Sequence, residues 1–218
     1  MLLQIEPTDG LETISVLQLL LKGGYMMIPI LLLWVGAIYI FVERLMLIKN
    51  SSKTPEDFKE RIRGMVLNGD VDGARMLCAQ TDTPVAHMIE KGISRIGSPL
   101  KNIEVSIENT GKIEIYRLEK NLSMLATISG VAPMIGFLGT VTGMIQAFIA
   151  IAQEEGAVSP KLLSSGIYEA MVTTAAGLFV GIIAYLGYNY LVSMVQKLVH
   201  RMEYTAIDFV DLLQEPQK

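Results

Sequence analysis

Three stretches of this chain are too apolar and too long for a soluble domain of 218 residues. Residues 23–42, GGYMMIPILLLWVGAIYIFV, and 121–153 hold no charged residue, and 162–196 hold only Glu169. An apolar run beyond about 18 residues is long enough to cross a bilayer. Lipid offers no hydrogen bonds, so such a run has to satisfy its own backbone as a helix. The expected fold is an all-α membrane protein with three transmembrane helices. At about 1.5 Å per residue the second and third runs measure roughly 50 Å, against a hydrocarbon core of about 30 Å. They are expected to project beyond the membrane into a helical bundle. Composition agrees, with 51% hydrophobic and 18% charged residues, where soluble domains carry about 25% charged.

Lysine and arginine set the expected direction. Arg44, Lys49, Lys53, Lys59, Arg61 and Arg63 follow the first run; Lys112, Arg117 and Lys120 precede the second; Lys197 and Arg201 follow the third. Lys22 and Lys161 lie on the other side, the latter near Glu154 and Glu155. The chain thus divides into an outer segment 1–22, a first span 23–45, a cytoplasmic helical domain 46–120, a second span 121–153, a short outer loop 154–161, a third span 162–196 and a cytoplasmic tail 197–218. Acids at Glu6, Asp9 and Glu12 precede the first apolar run and no basic residue does so before Lys22, which is unlike a cleavable leader. Leu11, Ile14, Leu17 and Leu21 share one face of a predicted surface helix, and Gly23-Gly24 separates it from the first span.

Within 46–120, Thr54-Pro55-Glu56-Asp57 reads as an N-cap with proline at the first helical position and acids in the first turn. Asn68-Gly69-Asp70 reads as a turn. Thr83-Pro84 and Ser98-Pro99 each open a helix, and the second of these has no breaker before the second span. The third span likewise continues through HRMEYTAIDFVDLL, 200–213.

A net charge of −4 gives no basic field for nucleic acid. Cys78, the sole cysteine, is expected to be a buried small apolar residue. His87 and His200 are far apart and outside the spans, there is no Ser–His pair and no Cys/His set. An intramembrane enzyme, a metal site and a cofactor site are therefore not expected.

Glu169 is the anomaly. A charged side chain at the centre of a transmembrane helix costs about 2.5–3.5 kcal/mol on insertion scales, so it needs a partner, water or a function. Small residues recur at four-residue spacing around it. Ala132, Gly136 and Thr140 do so in the second span, beside the pair Gly139 and Gly143. In the third span Gly166, Ala170 and Thr174 share one face, and Thr173, Gly177 and Gly181 another. Such faces let helix backbones approach closely, and two of them on successive helices favour an oligomer. Pro133 is expected to bend or loosen the second helix. If the two spans are mirrored about the outer loop, position 140 is level with 175, and Glu169 with the neighbourhood of Gln146. On an ideal helix Thr173 lies about 40° from Glu169 and Thr174 about 140°, so both threonines cannot share one narrow stripe with the carboxyl.

APMIGFLGTVTGMIQAF (132–148) followed by IYEAMVTTAAGLFVGIIAYLGYN (167–189) resembles the ExbB/TolQ/MotA proton-channel family, and ExbB most closely within it. The resemblance extends over most of residues 17–200. It implies a pentameric ring in a bacterial inner membrane, N-terminus in the periplasm, with the second and third helices lining a lumen, the first helix outside them, and no cofactor beyond protons as the coupling ion. In that lumen it implies a dimer of ExbD-like single-span partners carrying an essential aspartate. The assembly would use protonmotive force to energise a TonB-like protein, or in a TolQ-type system to maintain the envelope. Glu169 takes the place of the family's lumen glutamate, and Thr140 and Thr174 of its lumen threonines. Thr173 stands where many relatives carry alanine.

Overall fold

The computed structural model describes residues 23–55, 57–153 and 160–214. The outer segment 1–22, with its predicted surface helix over 11–22, and residues 154–159 of the predicted outer loop 154–161 fall outside them. Seven helices form in chain order among the described residues: α1 Met27–Ser51, α2 Phe58–Leu67, α3 Val71–Thr81, α4 Pro84–Ile93, α5 Leu100–Glu119, α6 Leu122–Gln153 and α7 Pro160–Leu212. No strand is found among the described residues. Among the described residues, three stretches are long and apolar enough to cross a membrane: Met27–Ser51, Leu100–Gln153 and Ser164–Leu212. The expected fold class is the observed one. The last helix is the longest, 53 residues without a break, or about 80 Å.

The chain divides into two compact units. One comprises residues up to Val35 together with Ile128–Ile183, the other Gly36–Thr127 together with Ala184–Lys218.

In the second unit short helices follow sharp stops. Gly69, at φ +76°, carries the turn after α2. Asp70 then caps α3 by accepting from the Gly73 amide at 2.9 Å, and Thr83 caps α4 by accepting from the Ala86 amide at 3.4 Å, with Pro84 in the first turn. A cap of this kind contributes about 1 kcal/mol. The expected cap at Thr54 is not formed. The helix starts at Phe58, with Asp57 before it making no side-chain cap bond, because the Phe58 amide closes a turn onto the Pro55 carbonyl. Thr54 donates instead to Thr83 Oγ1 at 3.3 Å.

The expected unbroken helix from Ser98 into the second span is also corrected. It is interrupted at Lys120 and Asn121, the latter at φ +65°. Asparagine is among the few non-glycine residues that enter the left-handed region at small cost. The last carbonyls of a helix lack intrahelical partners. At the end of α5 the buried Arg44 guanidinium from α1 donates to one of them, Arg117 O, at 3.2 Å.

Large apolar side chains hold this unit together. Phe58, Ile89, Ile93, Ile107, Leu118, Leu125, Leu191 and Met202 are almost completely buried. Those outside the apolar runs, Phe58, Ile89, Ile93, Ile107, Leu118 and Met202, each contribute about 1.5–3 kcal/mol by leaving water. Gly92 lets α4 settle between α5 and α7: a methyl built there would stand 2.7 Å from Phe209 and 2.8 Å from Ile107.

Candidate functional site

The intramembrane polar residues lie in the first unit, where α6 and α7 run antiparallel. The contact is made by missing side chains. A methyl built on Gly177 would stand 2.6 Å from Ala132 O and 2.9 Å from Gly136 Cα. One built on Gly136 would stand 2.9 Å from Thr173 O and 3.2 Å from Gly177 Cα. Backbone meets backbone here, so neither position has room for a Cβ. Further along the seam Gly139 faces Thr173, Gly143 faces Ala170, Gly166 faces Ala147, and Gly181 faces the Pro133 ring. Lipid supplies no hydrophobic drive between helices, so close van der Waals contact has to hold them.

These pairs fix the register. Gly139 opposite Thr173 and Gly143 opposite Ala170 put Thr140 level with about 172, not 175. Glu169 is level with Gly143 or its neighbour rather than with Gln146. Mirroring the spans about their loop is off by two or three residues, about 3–5 Å, because the helices do not meet at the midpoint of that loop. Thr140 and Thr174 still differ in depth by only about 3 Å.

Each threonine hydroxyl has a partner. Thr173 is 2% exposed and donates to Ala170 O at 2.7 Å, inside the seam against Gly139. Thr140, part-exposed, donates to Phe137 O on its own helix at 2.6 Å. Thr174 donates across the seam to Gly136 O at 2.9 Å. Thr173 and Thr174 therefore both meet α6, at successive points of the contact. The angular conflict between them dissolves, because the two threonines have no need to share a stripe with the carboxyl.

Glu169 is half-buried and turns elsewhere. Its carboxyl lies against Gly24, at the turn before α1. Within one chain the carboxyl thus rests on the first helix, while Thr173 and Thr174 serve the α6–α7 seam. Gly23-Gly24 is more than a breaker between helices. The positive φ of Gly24, +65°, has no signature in the sequence beyond the glycine itself.

The second unit holds a polar cluster that no sequence motif marks. Glu114, 6% exposed, accepts from Arg117 at 2.7 Å and lies 3.3 Å from His87 Nδ1; His87 Nε2 is 3.0 Å from Asp82. A buried carboxylate needs such partners.

An all-helical, multi-pass membrane protein with one carboxyl set among close-packed glycine helices is the class that this fold and site define. The chain belongs to the MotA/TolQ/ExbB proton channel family, which it matches over residues 80–204. It is 30% identical over 203 residues to the putative ExbB-like 1 biopolymer transport protein of Synechocystis, across 89% of this chain and 76% of that one. It is 42% identical over 87 residues to the biopolymer transport protein ExbB of Neisseria gonorrhoeae, covering 40% of this chain and 39% of the relative. It is 42% identical over 76 residues to the Tol-Pal system protein TolQ of Haemophilus influenzae, covering 35% and 33%. The last two matches span well under half of each relative. This chain is a proton-channel subunit of the ExbB/TolQ kind.

Proposed function

We propose that this chain forms a ring, a pentamer, in a bacterial inner membrane and works as the stationary or turning half of a proton-driven motor. An ExbD-like single-span dimer occupies the lumen, and the assembly energises a TonB-like protein for transport across the outer membrane. The lysine and arginine distribution favours a periplasmic N-terminus, with residues 46–120 and 197–218 in the cytoplasm. The observation that carries the reading is Glu169, the one charge in the third apolar run, held half-buried beside a seam in which α6 and α7 meet backbone to backbone. Protons pass where Glu169 leaves its place beside α1 to meet the partner's carboxylate, and Thr140 and Thr174, on the α6–α7 pair, belong to the same coupling path. Thr173, enclosed in the seam, and the packing residues Gly136, Gly139, Gly143, Gly177, Gly181 and Pro133 keep the helix pair rigid. Protons are the coupling ion and no cofactor is required.

Glu169→Gln tests this. In cells lacking their own subunit, supplied with this chain and its single-span partner, the variant ring should assemble at wild-type mass yet lose protonophore-sensitive uptake of a ferric siderophore. Full uptake by Glu169→Gln contradicts the reading. A TolQ-type role is the second reading, favoured by equal local identity to TolQ and to ExbB. It predicts that deletion causes detergent sensitivity while siderophore uptake continues.

A further inference from the structure

Glu169 is an expensive residue, and the structure shows what it rests on. Gly24 precedes α1 and has φ +65°. A methyl built on Gly24 would fall onto Glu169 Oε1 and stand 2.8 Å from its Cδ. Next to it, a methyl on Gly23 would stand 3.3 Å from Val172 Cγ1, one turn further along α7. The face of α7 from Glu169 to Val172 therefore lies on the Gly23-Gly24 turn. Ten residues on in both segments, the Trp34 and Phe179 rings meet with centroids 5.6 Å apart and planes tilted by 46°. The parallel register of α1 on α7 is thus pinned at both ends, and sliding α1 by one residue to relieve the turn would break the ring contact.

The turn is closed by its own bonds, Met27 N to Gly24 O and Ile28 N to Tyr25 O, both 3.2 Å, and the aligned peptide dipoles leave this end of α1 positive, which favours a carboxylate beside it. We propose that Gly24 is a positioning residue for the Glu169 carboxyl, and that the entry turn of α1 is the carboxyl's seat within the chain. The proposal rests on the reading of Glu169 as the coupling group. It makes α1 part of the coupling path: any movement of the carboxyl toward a partner's acid has to vacate this seat. Glycine matters twice, for the sign of φ and because a methyl in its place would push the flexible end of Glu169 out of this position. Gly69 separates the two requirements, since it has φ +76° but a methyl added there would meet nothing within 4 Å.

The experiment uses the full chain with its membrane partner, reading ring mass and protonophore-sensitive uptake of a ferric siderophore. Gly24→Ala should leave the ring intact and lower uptake by about tenfold or more, the scale of a misplaced reacting group. Gly69→Ala, which carries the backbone strain alone, should stay within about twofold of wild type. In a Glu169→Asp background, one methylene shorter, Gly24→Ala should cause no further loss. Uptake near wild type in Gly24→Ala, with Glu169→Gln inactive, overturns this proposal alone. An equal fold loss in both backgrounds overturns it too, as the effect is then general to the turn. Full activity of Glu169→Gln overturns the functional reading and this proposal with it. Should the Gly24→Ala ring fail to assemble, a cross-link decides. A Cβ at Gly24 stands 3.5 Å from Glu169 Cγ, the place of a cysteine sulfur and close to disulfide reach. G24C with E169C, in a Cys78→Ser chain, should form an intrachain disulfide in native membranes. No bond, or a bond only between chains, overturns the proposal.

Discussion

The two units of this molecule share their longest helix but are held by opposite means. In the first, α6 and α7 touch through Gly136 and Gly177, where side chains are absent. In the second, Phe58, Ile89, Ile107 and Met202 fill the space between helices, and Glu114 collects Arg117 and His87 around itself. The solvent explains the difference. In water, large apolar groups gain by being buried, and charged groups on the rim stay hydrated. In lipid, a leucine is as comfortable outside as inside, and Leu32, Phe137 and Ile182 are indeed exposed. Only proximity then distinguishes one helix pairing from another.

Each unit has a native probe for testing this contrast. Trp34, the sole tryptophan, packs its ring against Phe179 in the first unit. Cys78, the sole cysteine, is buried in α3 of the second. Burial, with the Glu90 charge adding to it, pushes its thiol up to about 12. Only a thiolate is reactive, and a raised value makes thiolate scarce at pH 8, so alkylation there awaits opening of the second unit.

The largest effect is expected from Phe58→Ala. Removing a buried phenylalanine costs about 3–5 kcal/mol, so Cys78 alkylation in detergent-solubilised chain should accelerate by about two to nearly four orders of magnitude. Trp34 emission should stay unchanged. Next comes Gly177→Ala, where a single methyl meets backbone that cannot yield. A cost of about 1–3 kcal/mol should appear as an earlier thermal transition in Trp34 emission. If Gly177→Ala is silent, the seam is looser than the contrast requires. Gly64→Ala should have the opposite sign. It sits inside α2 with nothing within 4 Å, so the gain is that of alanine over glycine in a helix, about 0.5–1 kcal/mol, read as a few-fold slower alkylation of Cys78. Smallest is Thr174→Val. The bond to Gly136 O should be worth about 0.6 kcal/mol, as for other hydrogen bonds between helices in lipid. A loss of several kcal/mol in the Trp34 transition would mean that polar contact, not proximity, holds the seam.

Much of the fold is legible in the sequence because membrane spans need only local information. Length and apolarity identify α1, α6 and α7, and Thr83-Pro84 and Asn68-Gly69-Asp70 mark ends through chemistry carried by the residues themselves. The helix break at Asn121 is not legible, because nothing next to it in sequence signals it, whereas Arg44, 73 residues before Arg117, supports the end of α5 from another helix. The site is legible as a set of residues rather than as an arrangement. Glu169, Thr140 and Thr174 stand out by being polar in apolar runs, but spacing cannot say which neighbour each one meets.

By itself the sequence determined that there would be three long apolar helices, where glycine would allow them to close, and that a single acid would sit among them. Those properties follow from single residues and their spacing. The tertiary structure decided which helix the acid leans on, that Thr174 bonds α6 while Thr173 fills the seam, and that an arginine from the first helix bonds the last turn of the fifth. Each of these depends on the register between helices distant in the chain, and register is a sum of many weak contacts that no one stretch of sequence contains.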